Sequence, residues 1–235
     1  MNKKTLKIVY GSMLLLFFIL IIGFSSLVYR APDVADSVEG YEVVNRHYVF
    51  ENESSIANII LYPGGLVHPE AYLELGSKLD KCNFNVYIPR MPFHLPILNS
   101  DSALDIDVDD TLPTFIGGHS LGGVAASQAV YEYQGHFSGL ILLAAYPSEG
   151  IDLCDRRIPV LSLTASNDGI MDRETYEASL SRLPQNYFNE VSISGGNHAY
   201  FGSYGEQSGD FEASISREVQ LEFTTSLIQN FILEN

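Results

Sequence analysis

Residues 114 to 130, TFIGGHSLGGVAASQAV, set four glycines around one serine, between an apolar run and an alanine-rich helical pattern. Gly118-His119-Ser120-Leu121-Gly122 has the form G-x-S-x-G, and its position between a strand pattern and a helix pattern makes it informative. A serine at so sharp a turn is held in a strained backbone. The residues two before and two after it must be small, so that strand and helix can pass closely. The turn also puts Ser120 at the start of a helix, where unpaired N–H groups and the helix dipole favour negative charge. The N–H of Leu121 is the natural first donor to such a charge. Taken alone, the pentapeptide is equally compatible with a glycine-rich β–α turn that holds an incidental serine, so other residues must decide.

The rest of the chain alternates in the same way. YEVVNRHYVF, IANIILYPGG, FNVYIPR, PTFIGG, FSGLILLAAYP, IPVLSLTASND and YFNEVSISGGNH read as strands. PEAYLELGSKLDKC, the stretch after Ser120, DRETYEASLSRLP and the amphipathic SREVQLEFTTSLIQNFILEN read as helices. Strands rich in Ile, Val and Leu on both faces, alternating with helices, predict an α/β fold with a mostly parallel central sheet flanked by helices. No repeat with a period of 20 to 50 residues interrupts the pattern.

The first thirty residues stand apart. Ile8 to Val28 is an apolar run of 21 residues without a charge, preceded by Lys3, Lys4 and Lys7. It is long enough to span a bilayer, and the basic residues before it place residues 1 to 30 as a cytoplasmic N-terminus and transmembrane anchor, with the domain outside the cytoplasm. A cleaved signal peptide and a buried core helix are the other readings, the latter implying a cytoplasmic protein. Residues 31 to 40 read as a polar linker and 41 to 235 as the domain. From residue 31 on, nine Lys+Arg face 29 Asp+Glu, a net charge of −20. That charge favours solubility and argues against nucleic acid as a partner. Cys82 and Cys154 would be permitted a disulfide outside the cytoplasm, but spacing does not decide it, and no metal-ligand pattern is present.

A serine hydroxyl becomes a nucleophile only when a base takes its proton, and a histidine base needs a carboxylate to fix its tautomer. VLSLTASNDGI places Asp168 just beyond a buried strand, and VSISGGNHAY places His198 just beyond another. Each alone reads as an ordinary loop residue; both at strand ends, after Ser120, form a catalytic set. Asp172 competes for the carboxylate role, but MDRET reads as a helix start in which Asp172 is the cap. The second oxyanion donor is expected from the glycine loop of IILYPGGLVHPEAY, at the N–H of Gly65 or, failing that, Leu66.

With YPGG, GGHSLGG, SNDG and GGNHAYFG in this order, the chain from Tyr41 to Asn235 resembles the α/β-hydrolase superfamily. More narrowly, it is similar to the small carboxylesterase members of dienelactone-hydrolase type. The resemblance implies the α/β-hydrolase fold, the order Ser120, Asp168, His198, a small-molecule acyl substrate and no cofactor. Many members carry His-Gly in the oxyanion loop where this chain has Tyr62-Pro63, which leaves the second donor open. Only PSEGIDLCDRRI separates the strands where a lid would be inserted, so no sizeable lid is expected and small acyl groups suit the site better than long ones. Leu66, Met91, Phe93, His119, Tyr200 and Phe201 are candidates for the substrate pocket, with Arg90 and His94 beside it. The expected activity is hydrolysis of a small carboxylic ester, lactone or thioester. An acyltransferase using the same residues and a non-catalytic binding domain at the cell surface are the alternatives, and oligomeric state is not legible.

Overall fold

In the computed structural model, residues 27 to 235 are described. The apolar run expected as a membrane segment lies outside them except for its last two residues. Among the described residues no helix is long and apolar enough to cross a membrane.

The apolar runs form eight strands: β1 (Glu42–Val44), β2 (His47–Phe50), β3 (Ala57–Tyr62), β4 (Phe84–Ile88), β5 (Thr114–His119), β6 (Gly139–Leu143), β7 (Val160–Ala165) and β8 (Phe188–Ile193). They make one sheet in the order β1-β2-β4-β3-β5-β6-β7-β8. The β1/β2 and β2/β4 pairs are antiparallel and every pair from β4 to β8 is parallel. Among the described residues five α-helices accompany them: α1 (Pro32–Ser37), α2 (Leu73–Asp80), α3 (Leu121–Glu132), α4 (Arg173–Ser179) and α5 (Arg217–Glu234).

Because side chains alternate across a strand, each central strand feeds two cores. Ile59 and Leu61 pack on one face with Leu73, Leu75 and Leu79 of α2 and Leu221, Ile228 and Phe231 of α5. Ile60 and Tyr62 pack on the other with Ala125, Ala126 and Ala129 of α3. Burial on both faces is why these strands read as unbroken apolar runs. The buried side of α5 is mixed rather than purely apolar: Gln220, Thr224 and Thr225 lie in it, while Phe223 and Leu233 are exposed.

Two expectations change. YEVVNRHYVF is a hairpin, not one strand, because Asn45 (φ 48°) and Arg46 (φ 73°) both take left-handed conformations, the geometry a tight two-residue β-turn requires. The linker expected at 31 to 40 is not a free tether. Its residues Pro32–Ser37 form α1, Ala31 and Val34 join the first core, and the N–H of Ala31 donates to Glu70 Oε1 at 3.0 Å. Just before it, Tyr29 bridges to Val67. No helix or strand lies between β6 and β7. Cys82 and Cys154 are both free.

Candidate active site

The C-terminal ends of β3, β5, β7 and β8 lie along one edge of the sheet, and each delivers part of the site. At the end of β5 the chain turns into α3 through Ser120, at φ 51° and ψ −122°. This conformation is costly for a side chain other than glycine. It is enforced by hydrogen bonds on either side: the Ser120 N–H donates to Leu143 O at 2.9 Å, and Ser120 O accepts from Gly123 N at 3.0 Å. The glycines explain the turn's tightness. A Cβ on Gly118 would sit 2.4 Å from the carbonyl carbon of Gly122, and one on Gly122 would sit 2.3 Å from Tyr62 O.

Asp168 follows β7 by three residues and is buried at 5 % exposure, and His198 follows β8 and is buried at 1 %. Their side chains meet, with His198 Nδ1 2.8 Å from Asp168 Oδ2. The other carboxylate oxygen accepts from the N–H groups of Ile170 and Met171, both at 2.8 Å. Burial pushes the Asp168 pKa up, but the hydrogen bond and charge of His198 and the two N–H donors outweigh it and hold the carboxyl below its usual range. An ionised Asp168 can only accept, so His198 carries its proton on Nδ1 and presents a lone pair at Nε2. That Nε2 is buried and has no hydrogen-bond partner among the described residues. Ser120 is partly exposed and its hydroxyl is not bonded to His198. Asp172 caps α4 by accepting from Thr175 N at 2.7 Å, as expected.

The glycine loop expected to supply the second oxyanion donor follows β3. Gly65 lies against the side chain of Leu121, close enough that a Cβ on it would be 2.9 Å from Leu121 Cδ2. Neither the Gly65 nor the Leu121 N–H donates to an acceptor among the described residues. Leu66 is corrected as a donor: its N–H is taken by His94 O at 2.7 Å. The loop is anchored from below by Tyr72, whose hydroxyl accepts from Gly64 N at 2.8 Å and is hydrogen-bonded to His119 Nδ1 at 2.8 Å. Desolvation, and then the neighbouring His198, hold the His119 pKa well below its ordinary value, so the ring is neutral.

The expected pocket residues divide. Leu66 is half-exposed, and Met91 and Phe93 line a cavity together with Arg90 and His94. Tyr200, half-exposed, opens on a separate depression with Asn197 and Asp210. His119 and Phe201 are corrected: both are sealed in the interior, with the His119 ring 4.5 Å from that of His198 and 5.8 Å from that of Phe201. They support the catalytic edge rather than line an opening.

Asp210 carries a role that its sequence setting did not reveal. Its Oδ1 accepts from Gly169 N and its Oδ2 from Ala199 N, each at 2.9 Å. One carboxylate thus ties together the residues immediately after Asp168 and His198. Gln220 of α5 clamps the same loop from the other side, accepting from Asn197 N at 3.0 Å and donating to Asn197 O at 2.8 Å. Only the unusual glycine and aromatic content of HAYFGSYGEQSGD pointed toward this segment.

Solved structures share this frame. A predicted CIB-like hydrolase from Thermoplasma acidophilum superposes with a TM-score of 0.57 at 18% identity, over 82% of this chain and 97% of the other. Est1E from Butyrivibrio proteoclasticus, also solved with ferulic acid bound, gives 0.60 at 17% over 83% and 97%. Thermogutta terrifontis esterase 2, phosphoramylated by tabun, gives 0.56 at 14% over 84% and 96%. At such identities the likeness is one of fold. No curated protein sequence matches the chain. A family model does, over residues 58–222, a span that runs from β3 into α5 and takes in Gly65, Ser120, Asp168 and His198, and on that match the chain belongs to the Alpha/beta hydrolase family.

Proposed function

We propose that the protein is a serine hydrolase that cleaves a small carboxylic ester, lactone or thioester through an acyl-enzyme on Ser120. The observation that carries this reading is the Asp168–His198 pair, held at 2.8 Å with a buried His198 Nε2 that has no hydrogen-bond partner among the described residues. Such a nitrogen is a general base in want of a proton donor, and catalytic hydrogen bonds of this kind often close only when substrate binds.

In the proposed reaction Ser120 Oγ attacks the acyl carbon as His198 Nε2 takes its proton. Asp168 stabilises the imidazolium. The carbonyl oxygen gains charge between the N–H groups of Leu121 and Gly65, at the start of α3. Collapse of the tetrahedral intermediate breaks the bond to the leaving group, which takes the proton from His198 Nε2. Water then repeats the sequence on the acyl-enzyme, releasing the acid and restoring Ser120. The short connection between β6 and β7 supports small acyl groups, and the esterase neighbours support an ester as the bond cleaved. We further propose that Ile8 to Val28 tethers the domain outside the cytoplasm, on the strength of its apolar length and the lysines before it.

Steady-state hydrolysis of p-nitrophenyl acetate, butyrate and palmitate by the wild type and by Ser120→Ala tests the reading. Turnover of the short esters, lost in the variant, is expected. Equal residual hydrolysis by both proteins would remove Ser120 from the chemistry.

A further inference from the structure

A cavity of about 460 Å³ has a lining that includes Arg30, Arg46, Arg90, His47, His68 and His94. The concentration of cations there runs against the composition of the chain. Of thirteen Lys+Arg, three (Lys3, Lys4 and Lys7) precede the described residues, so ten face 29 Asp+Glu, and three of those ten open on this one cavity.

A cation cluster in an acidic protein is ordinarily matched by carboxylates. Here it is not: among the described residues no Asp or Glu forms an ion pair with Arg30, Arg46 or Arg90. Glu70, a carboxylate beside the cavity, is already occupied. Its Oε1 accepts from Ala31 N at 3.0 Å and its Oε2 lies 3.0 Å from His68 Nδ1. His68 Nε2 in turn lies 3.0 Å from Arg90 Nη2. Since a guanidinium only donates, His68 accepts there and gives its own proton to Glu70. Arg90 is therefore oriented by a neutral imidazole, not neutralised by an anion. His47 Nδ1 accepts from Arg90 N at 3.2 Å, which leaves its Nε2–H as a further donor. The buried Arg90 Nε and His94 Nδ1 have no partner among the described residues. Unpaired buried donors and cations are expensive unless a ligand completes them.

The cavity is tied to the reaction centre by backbone. His94 O holds the N–H of Leu66, the residue after Gly65, and Tyr29, next to Arg30, donates to Leu66 O at 2.8 Å. Leu66, Phe93 and His94 all take left-handed conformations, at φ 57°, 50° and 54°, strain of the sort found where a loop is shaped for a ligand. At physiological ionic strength the screening length is about 8 Å, so inside the cavity the nearby cations outweigh the distant acidic surface.

We propose that this cavity is a subsite for an anionic oxygen group, a carboxylate or phosphate carried by the ester that Ser120 cleaves. The inference rests on the hydrolase reading for its substrate, but not for its binding site, and the test separates the two. With the full chain, kcat/KM is measured for the mono-p-nitrophenyl ester of succinic acid and for p-nitrophenyl butyrate. The melting temperature is followed in sodium phosphate, sodium succinate and sodium chloride of equal ionic strength. The proteins are the wild type, Arg90→Gln and Arg30→Gln, the second arginine guarding against a folding defect at the first.

The expected results are a wild-type preference for the acidic ester that falls by about ten-fold or more in the variants, and stabilisation by phosphate or succinate beyond chloride that the variants lose. Which anion stabilises identifies the group. Hydrolysis of both esters with an unchanged ratio in the variants, and no anion-specific stabilisation, would overturn the subsite while leaving the hydrolase intact. Anion stabilisation lost in the variants, without hydrolysis of either ester, would sustain the site and overturn the proposed reaction.

Discussion

Replacing Gly122 by alanine tests how closely α3 must approach β3 for the site to form. A Cβ at this position would lie 2.3 Å from Tyr62 O and 2.4 Å from Pro63 O, and contacts under 3.0 Å essentially never occur, so helix and strand must separate by at least 0.7 Å. Overpacking of this kind costs about 1–3 kcal/mol, offset by up to about 1 kcal/mol from alanine's better helix propensity. The net loss should lower Tm by several degrees, at roughly 2–4 °C per kcal/mol for a domain of this size. The catalytic effect should be larger than the loss of stability. Leu121, whose N–H is the proposed first oxyanion donor, immediately precedes Gly122 and moves with it, and a displacement near 1 Å at a reacting centre costs on the order of 10²-fold in rate. The assay is kcat for p-nitrophenyl butyrate alongside thermal unfolding, with Gly150→Ala as control, because a Cβ there meets nothing within 4 Å. A Gly122→Ala protein with wild-type Tm and wild-type kcat would refute the packing argument.

Asp210→Asn replaces one of two accepting oxygens with an amide that cannot accept, so either Gly169 or Ala199 loses its partner. Chemical denaturation should show a loss of about 1–3 kcal/mol, with kcat falling while KM for a short ester changes little. Tyr72→Phe orphans the buried Gly64 N–H and His119 Nδ1, at about 1–3 kcal/mol for each group left unsatisfied; a melting curve superposable on the wild type would contradict the anchoring role. Asp168 has a folded pKa below its ordinary value, so its contribution to stability is complete above about pH 4 and is lost as pH falls through that lower value. The unfolding midpoint of Asp168→Asn, followed below pH 4, should lack this component of the wild type's acid sensitivity.

The parts of the fold that were legible are those fixed by local chemistry. Apolar runs such as NIILY and LILL had to be doubly covered strands, and the GGHSLGG crowding had to be a tight strand-to-helix turn, because both depend on neighbours in sequence. Asp168 and His198 were legible only through their place after strands, which the parallel sheet converts into nearness in space. Asp210, Tyr72 and Gln220 were not. The Tyr72 hydroxyl meets a histidine 47 residues away, and nothing around Tyr72 distinguishes it from a core aromatic. The Asn45-Arg46 turn was missed because it has no glycine to mark its left-handed residues, and α1 because a polar stretch becomes helix when Ala31 and Val34 find apolar surface. The cation cavity was half visible, as Arg90 and His94 beside Met91 and Phe93; Arg30, Arg46, His47 and His68 join it from three other segments.

In the proposed reaction Ser120 is an activated nucleophile served by His198. Incubation of the full chain with a fluorophosphonate, followed by intact mass measurement and peptide mapping, tests it directly. One adduct is expected, located on Ser120, formed far more slowly in His198→Ala and absent in Ser120→Ala. A folded wild-type protein that forms no adduct, or forms one equally fast without His198, would contradict it.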